Sequence, residues 1–419
     1  MASRHRLRRQ VPQILGLLDI GTSKTVCLIV AAARHGAPGD VEVLGLGQQA
    51  SRGLKAGTVI ELDAVEQCVR AAVTDAERAA GTELRQVLLA VACGRLKSTS
   101  FAADAKIGGR AVTEADIGRL MSAGRSYVER DGRALLHLNC VGYRLDGAAG
   151  IAAPHGLAGK LLSADLHAVS ADAAPLRNLV HAAERAYLSV TGLVPAPYAS
   201  SLAATTAEER RAGVVALDFG AGTTGLALFA EGHLLASDVI PVGGHHITFD
   251  IARALQISLG EAERIKGVYG TLDAAAADAA TVADTPAGEA VARLEPAATA
   301  QVRDVVRHRV TGLLGQIAER LERAGVASGA TRHVVVTGGA AQLAGLPAFA
   351  GAFLQKGARA GQAKAVHGLP AGAGNPALST ALGLAQVAFD LAAGVRRGER
   401  SFMAGGYLRS VGRWLQAGF

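Results

Sequence analysis

The sequence predicts an α/β protein of two duplicated lobes, with a separate small α+β module. Residues 14–30 and 214–229 share one pattern, in which an apolar strand ends in Asp-x-Gly, small residues and threonine follow, and a second apolar strand begins. Such recurrence indicates that one supersecondary unit is duplicated. A chain of 419 residues, half of them hydrophobic, is also long enough to bury two cores.

The first lobe is predicted from alternating strands and helices. Residues 41–50 and 86–94 are apolar strand patterns, and residues 63–80 have the apolar spacing of one helix face. Residues 95–165 change to short β-like pieces around a predicted helix from Asp116 to Arg130. We expect this stretch to form a separate small module. The strand ADLHAVSA and the amphipathic helix PLRNLVHAAERAYL follow it.

The second lobe continues beyond the repeated unit. Residues 301–323 have helical spacing, and HVVVTGG, at residues 333–339, is a strand followed by a glycine turn. Residues 271–300 are rich in alanine, aspartate and proline. We expect a loop or an irregular insert there.

Composition narrows the classes of function. The net charge of +7 fits an anionic partner, whereas aromatic residues, at 4% of the chain, are too sparse to interleave with a basic patch and bind nucleic acid. The four cysteines are far apart and form no CxxC motif, so we expect neither disulfides nor a zinc site. The basic N-terminus is followed by no apolar run, and no uncharged apolar stretch reaches about twenty residues, so we expect no signal peptide and no membrane span.

Three glycine turns each follow a strand, at Asp19–Lys24, Asp218–Thr224 and Val336–Ala340. Glycines let backbone N–H groups approach an anion, and threonine, serine and lysine side chains add donors. Asp19 and Asp218 lie at strand ends and suit a hydrated Mg²⁺, which uses few carboxylates. One such turn alone is typical of an ordinary hairpin, but three in this order predict a phosphate site. Neither GxxxxGK[ST] nor a GxGxxG motif opening a helix after a first strand is present, so a P-loop and a dinucleotide fold are not supported.

The paired strand–turn–strand motifs and the later VTGGA resemble the phosphate and adenosine segments of the actin/hexokinase/heat-shock-chaperone ATPase superfamily. Within that superfamily the chain resembles the FtsA family of bacterial division proteins over nearly its whole length. The segments that carry this resemblance are SRGLKAGTVIELDAVEQCVRAAV, YASSLAA, VIPVGGHHITFDIA, EAERIK and VTGGAAQLAGLPAFA. The resemblance implies an actin-like ATPase fold with ATP in a cleft between the lobes.

The resemblance also implies a division into subdomains, onto which the sequence pattern can be placed. The predicted segments are a disordered basic arm at 1–13, the first lobe core (1A) at 14–94 and 166–210, the inserted subdomain (1C) at 95–165, the second lobe core (2A) at 211–249 and 326–390, subdomain 2B at 250–325, a linker at 391–403 and an amphipathic helix at 404–419.

ATP and Mg²⁺ are the ligands that the resemblance implies. Asp19 and Asp218 would bind the metal, and Glu263 and Lys266 would hold the ribose and adenine. For those last two residues a solvated i,i+3 ion pair is the alternative. The residues implied to bind the nucleotide are Asp19, Gly21, Thr22, Ser23, Lys24, Asp218, Gly220, Gly222, Thr223, Thr224, Gly243, Gly244, Glu263, Lys266, Gly338, Gly339 and Ala340.

Three departures from the family pattern bear on hydrolysis. Gly225 stands where the second turn usually ends in an acidic residue, and Ala221 replaces its middle glycine. Ala196 occupies the position of the glutamate that orients the attacking water in hydrolysing relatives. We therefore expect ATP binding with slow or negligible hydrolysis, and no catalytic residue is assigned.

The C-terminal residues 404–419 form an amphipathic helical pattern. At about 1.5 Å per residue this helix would be a rod of roughly 24 Å, with one apolar arc opposite a polar side, and its aromatic and basic residues favour the surface of an anionic membrane. The alternative is a helix that packs on its own protein. The residues expected to contact the membrane are Tyr407, Leu408, Arg409, Val411, Arg413, Trp414, Leu415 and Phe419.

The function implied is an actin-like, ATP-binding adaptor that polymerises and anchors FtsZ filaments to the membrane. It would act peripherally at the cytoplasmic face of the bacterial inner membrane, at the division site, with FtsZ, other division proteins, anionic lipid and further copies of itself as partners. It would be at most a weak ATPase. The expected FtsZ contacts are Arg303, Asp304 and Arg307. The alternatives are a PilM-like cytoplasmic pilus adaptor and a small-molecule kinase, which would need a catalytic base that the sequence does not offer.

Overall fold

The computed structural model describes most of the chain. The described residues are 14–32, 41–129, 132–273, 294–325, 331–363, 366–370, 372 and 374–396. The predicted arm at 1–13 and the predicted tail helix at 404–419 therefore lie outside the described residues, as does the predicted insert from 274 to 293.

The first lobe is a five-stranded sheet with strand order β11-β6-β1-β2-β3. The nearly continuous apolar sequence of its central strand is typical of a strand that is covered on both faces. The strands are β1 (Ile14–Ile20), β2 (Lys24–Ala32), β3 (Val41–Ala50), β6 (Gln86–Val91) and β11 (Ser189–Pro195), with a short hairpin of β4 (Leu54–Lys55) and β5 (Thr58–Val59), and the helices are α1 (Leu62–Ala80), α3 (Ala173–Arg185), α4 (Ala196–Ala204) and α5 (Ala207–Ala212).

The second lobe repeats this topology with strand order β14-β13-β12-β15-β16. In each lobe an antiparallel three-stranded unit is extended by two parallel strands, added beside the first strand of the unit. The predicted duplication is therefore confirmed. The elements are β12 (Val214–Phe219), β13 (Thr224–Ala230), β14 (His233–Ile240), α6 (Gly244–Leu255), α7 (Leu259–Tyr269), α8 (Pro296–Arg323), β15 (His333–Thr337), α9 (Leu346–Leu354), β16 (Gly357–Ala360) and α10 (Ser379–Arg396).

The inserted subdomain is a four-stranded sheet with one helix and a core of its own. It contains β7 (Lys97–Lys106), α2 (Glu114–Glu129), β8 (Arg133–Leu145), β9 (Ala148–Ile151) and β10 (Leu161–Asp172), in strand order β7-β10-β8-β9. The predicted helix from Asp116 to Arg130 corresponds to α2. Buried Leu120, Leu162 and Leu166 lie in its core.

Three predicted boundaries are wrong. Residues 166–172 were assigned to the first lobe, but they complete β10, whose partners β7 and β8 both belong to the inserted sheet. The long helix α8 begins at Pro296, inside the segment predicted to be irregular, because proline is favoured in a first helical turn. Helix α10 continues to Arg396, beyond the predicted start of the linker at 391.

The inserted subdomain contacts the second lobe as well as the first. The Ser98 hydroxyl donates to the Ser237 carbonyl of β14 at 3.0 Å and accepts from the Ser237 N–H at 2.7 Å. The Asn139 amide donates to the Leu234 carbonyl at 3.3 Å. Burial lowers the pKa of His137 to about 3 and of neighbouring His167 to about 4, so both rings are neutral at pH 7. A neutral, hydrogen-bonded junction thus joins the subdomain to β14.

Helices α4 and α10 pack against each other between the lobes. Buried Gly383 of α10 lies directly on the Ala199 carbonyl of α4, and a Cβ atom at position 383 would be 1.7 Å from that oxygen. The absence of a side chain therefore sets the distance between the two helices.

Candidate functional site

A cavity of about 840 Å³ lies between the two lobes and is lined by all three glycine turns. The first turn joins β1 to β2, the second joins β12 to β13, and the third follows β15. Strands β12 and β15 are parallel neighbours, and their register places Asp218 beside Thr337. The duplicated topology thus gathers turns that are far apart in the sequence, which is the arrangement predicted for a phosphate site.

The first two turns have the same backbone geometry. The Gly21 N–H donates to the Lys24 carbonyl at 3.0 Å, and the Gly220 N–H donates to the Thr223 carbonyl at 2.9 Å. The turns also touch, since a Cβ atom at Gly222 would lie 2.5 Å from the Thr22 hydroxyl oxygen. The lobes are therefore closed on each other at this end of the cavity.

Asp19, Lys24 and Asp218 form a charged group at the end of the cavity where the turns meet. Burial, together with the nearby charge of Asp218, raises the pKa of Asp19 to about 7 although Lys24 opposes this. Burial raises the pKa of Asp218 and lowers that of Lys24. A bound cation would relieve the repulsion between the two carboxylates.

The Asp218 carboxylate lies between two helices. The Thr380 hydroxyl at the start of α10 donates to it at 3.2 Å, and Ser200 of α4, together with Thr380, opposes the rise in its pKa. Two carboxylates with neighbouring hydroxyls fit Mg²⁺, which retains several waters. Among the described residues no group of three or more His, Cys, Asp or Glu side chains has the arrangement of a metal site, so a site built entirely from protein ligands is not supported there.

Glu263 and Lys266 lie in the cavity wall on α7. The Lys266 ammonium donates to the Glu263 carboxylate at 2.8 Å and to the Thr248 hydroxyl at 2.9 Å. Burial opposes ionisation of Glu263, but the bonds from Lys266 and Thr248 outweigh it and hold the pKa of that carboxylate below its usual value. Glu263 and Lys266 therefore form the i,i+3 ion pair, and both residues of the pair also line the cavity.

The third turn closes the same wall. Gly338 has a φ of +94°, a conformation that favours glycine. A Cβ atom there would lie 2.3 Å from an Asp218 carboxylate oxygen, so only glycine lets the turn approach this side chain. Gly339 and Ala340 follow it along the cavity.

Two predicted nucleotide-binding residues support the cavity without lining it. The Thr224 hydroxyl donates to the Val242 carbonyl at 2.8 Å. Gly243 packs on the Gly220 carbonyl, 2.5 Å from where its Cβ atom would be. Both residues position Gly244, which does line the cavity. Every other predicted nucleotide-binding residue lines it as well.

The cavity also contains residues that the sequence did not identify, including His245, Tyr269, Gln342 and Thr380. The pair of histidines after Gly244 was a visible signal for His245, but nothing local pointed to Thr380. Arg303, predicted to contact FtsZ, is half-buried and lines the cavity, whereas Asp304 and Arg307 on the same helix are exposed. The helical turn directs Arg303 to a different side from these neighbours.

The departures at positions 196 and 225 meet in the cavity wall. Gly225 and Ala196 both line it. A Cβ atom at Gly225 would lie 2.9 Å from the ring of Pro197, so α4 leaves no room for an acidic side chain there. The wall therefore lacks a carboxylate at positions 196 and 225.

Sequence comparison identifies related proteins over most of the chain. A family model described as "Cell division protein FtsA" matches residues 215–383, and one described as "SHS2 domain inserted in FTSA" matches residues 93–170. The cell division protein FtsA of Rhizobium meliloti (strain 1021) is 39% identical over 420 residues, covering 97% of this chain and 95% of the relative. That of Escherichia coli (strain K12) is 32% identical over 376 residues, covering 88% of each.

Comparison with solved structures supports the fold. The PilM–PilN type IV pilus biogenesis complex matches with a TM-score of 0.63 and 20% identity, covering 90% of this chain and 99% of the other. MreB 5 of Spiroplasma citri bound to AMPPNP matches with a TM-score of 0.52 and 14% identity, covering 93% and 100%. These likenesses confirm the predicted actin-like ATPase fold, and the matched SHS2 domain confirms the inserted subdomain.

Proposed function

The chain belongs to the FtsA family of cell division proteins, and from this premise we propose that it is an ATP-binding, membrane-attached adaptor for FtsZ filaments. Family membership supports a role in cell division. The convergence of three glycine turns with Asp19, Asp218 and Lys24 in one cavity carries the assignment of a nucleotide ligand. Glycine turns offer backbone N–H groups to phosphates, and the two aspartates offer oxygens to Mg²⁺.

ATP in this cleft would act as a ligand that controls assembly. Ala196 and Gly225 leave the cleft without carboxylates at the positions expected to orient water and assist the metal. Hydrolysis would accordingly be slow or absent. A ligand shifts a conformational equilibrium by its difference in affinity for the two states, so bound ATP would favour the closed lobes and the filament that they form.

The C-terminal segment would provide the membrane contact. Among the described residues no helix is long and apolar enough to cross a membrane. The pattern at 404–419 suits a helix that lies in the bilayer surface. Each basic residue near an anionic surface contributes about 1 kcal/mol, so one helix binds reversibly and polymerisation would add multivalency.

This part of the proposal predicts that only the full chain pellets with anionic liposomes. The comparison is between the full chain and a chain ending at Ser401, each with and without ATP and Mg²⁺. We expect the full chain to cosediment, more strongly with ATP, and the shortened chain to stay in the supernatant. Trp414→Glu in the full chain is the point variant, and it should reduce pelleting at least tenfold because a charge replaces the interfacial aromatic. If both chain lengths stay in the supernatant, the helix packs on its own protein.

FtsZ would bind the exposed face of subdomain 2B. Arg307 of α8 is exposed there, and its guanidinium lies 5.4 Å from the centre of the Phe349 ring. Arg307→Glu should lower the affinity for FtsZ about tenfold or more by charge reversal in a contact surface. Arg323→Glu, also exposed on α8, is the matched control. Copelleting with FtsZ and the Tm of each variant are measured together, and equal binding by both variants at unchanged Tm would remove Arg307 from the contact.

A further inference from the structure

A second cavity, of about 720 Å³, adjoins the nucleotide cavity at the β4–β5 hairpin, and Ala92 and Val239 line both. At the hairpin turn Gly57 lines the first cavity, whereas Ala56 and Thr58 line the second. The Gly57 N–H donates to the Thr22 hydroxyl at 3.1 Å, which ties the turn to the first phosphate turn. The volume is within the range of small-molecule sites.

The charged side chains in this second cavity are mainly arginines. Arg95, Arg133 and Arg177 line it, opposed by the single carboxylate of Asp172. The Arg133 guanidinium already donates to groups of the protein itself, namely the Asp172 carboxylate, the Ser170 hydroxyl and the Arg95 carbonyl. Arg95 donates to the other Asp172 oxygen at 2.9 Å while its side chain stays 92% exposed.

Arg177 has no carboxylate partner among the described residues. It is exposed, lies one helical turn into α3 and lines the same cavity as Arg95. The Asp172 carboxylate is already neutralised by two guanidinium groups. An excess of positive charge therefore remains in the cavity, and guanidinium groups bind phosphate oxygens in bidentate geometry.

The start of α3 adds hydrogen-bond donors to these arginines. Asp172 is the N-cap residue, but its side chain makes no capping bond because the two arginines hold it. Ala173 and Ala174, in the first turn, line the cavity. The N–H groups of Ala173 and Ala174 have no intrahelical partner, whereas Pro175, the third residue of the turn, has no N–H to offer. The partial positive charge at the start of a helix favours an anion.

We propose that this second cavity binds a small anion that carries a phosphate group, held by Arg177 and Arg95 at the start of α3. The site is independent of the nucleotide function and uses none of its residues as ligands. Its walls come from three units, since Thr58 belongs to the first lobe, Arg133 to the inserted subdomain, and Val239 and Pro241 to the second lobe. An anion bound there would hold these three units together.

The test titrates inorganic phosphate at constant ionic strength into the full chain saturated with AMPPNP and Mg²⁺, so that the nucleotide cavity is already filled. Isothermal calorimetry and the shift in Tm report binding. The variants are Arg177→Gln, Arg95→Gln and the double variant. Arg85→Gln is the matched control, since Arg85 is exposed and lies outside both cavities.

We expect saturable binding to the native chain, weakened at least about fivefold by either single substitution, because each removes a charge-assisted contact. The double variant should lose saturable binding, and Arg85→Gln should keep it. Binding that is equal in the native chain and the double variant would overturn the proposal, as would the absence of saturable binding to the native chain. The Tm of each phosphate-free variant shows whether it is folded.

Discussion

Replacing Gly383 with alanine is expected to destabilise the protein by about 2 kcal/mol or more, although alanine is the better helix former. Helix propensity alone would favour the substitution by about 1 kcal/mol. The new Cβ atom would lie 1.7 Å from the Ala199 carbonyl oxygen, and a backbone atom cannot rotate away as a side chain can. Helices α4 and α10 would have to separate, and overpacking of this kind typically costs about 1–3 kcal/mol, occasionally more.

A matched control is available within the same chain. Gly312 of α8 is also helical, but a Cβ atom there would have nothing within 4 Å. Gly312→Ala should therefore stabilise the protein by roughly 0.5–1 kcal/mol, since only propensity changes. Thermal and denaturant unfolding of the two variants check this. Similar changes in stability of the same sign would show that the α4–α10 contact does not govern the result.

Gly383→Ala should also weaken nucleotide binding. The hydroxyls of Ser200 on α4 and Thr380 on α10 both act on Asp218, and Thr380 donates a hydrogen bond to its carboxylate. Moving the two helices apart would displace at least one of these hydroxyls from the carboxylate. We therefore expect Gly383→Ala to lower the affinity for ATP–Mg²⁺, whereas Gly312→Ala leaves it unchanged.

Replacing Asp19 with asparagine is expected to have opposite effects on stability and on binding. Burial and the charge of Asp218 raise the pKa of Asp19 in the folded protein to about 7, above the ordinary value of 3.8 for an aspartate. Between these two pH values the unfolded chain releases the proton and the folded protein keeps it, so the nucleotide-free protein loses stability as pH rises from about 4 to about 7. Asparagine carries no charge and removes that loss.

At pH 8 the nucleotide-free Asp19→Asn variant should be more stable than the native chain, by at most roughly 4 kcal/mol at 1.36 kcal/mol per pKa unit. Water in the cavity screens the half-buried carboxylate and reduces this gain. Below pH 4 the two proteins should differ little. Affinity for ATP–Mg²⁺ should nevertheless fall at least tenfold, because one of two metal-binding carboxylates is lost.

Unfolding curves from pH 4 to pH 8 and calorimetric titration with ATP–Mg²⁺ measure both effects. Asp104→Asn, at an exposed position of β7, is the control for the chemical change itself and should alter neither quantity. An Asp19→Asn variant that is less stable than the native chain at pH 8 would mean that the folded protein stabilises this carboxylate as an anion.

Much of this molecule was predictable because its signals are local. The Asp-x-Gly turns at Asp19 and Asp218 were visible in the repeated pattern, and both follow strands as expected. The apolar spacing of residues 63–80 gave α1, which spans Leu62–Ala80. Each of these features depends on neighbours within one strand or one helical turn, and a sequence displays such neighbours directly.

Other features depended on partners distant in the chain. Residues 166–172 have a strand pattern that fits either sheet, and only pairing with β7 and β8 assigned them to the inserted subdomain. From the sequence, Arg303 and Arg307 could both lie on the exposed face of their helix. The packing of α8 places Arg303 in the cavity wall and leaves Arg307 exposed. Thr380 gave no local signal for its bond to Asp218, which lies 162 positions away.

Local patterns in the sequence specify the duplicated strand–turn–strand unit and the order of the three glycine turns, and the family resemblance adds the inserted subdomain. Folding brings Asp19 and Asp218 into one cavity, lets Gly383 fix the spacing of α4 and α10, and forms a second, arginine-lined cavity where three units meet. This division arises because periodicity specifies only which face of an element is apolar. Which elements those faces meet, and which charges are thereby brought together, is set by long-range packing.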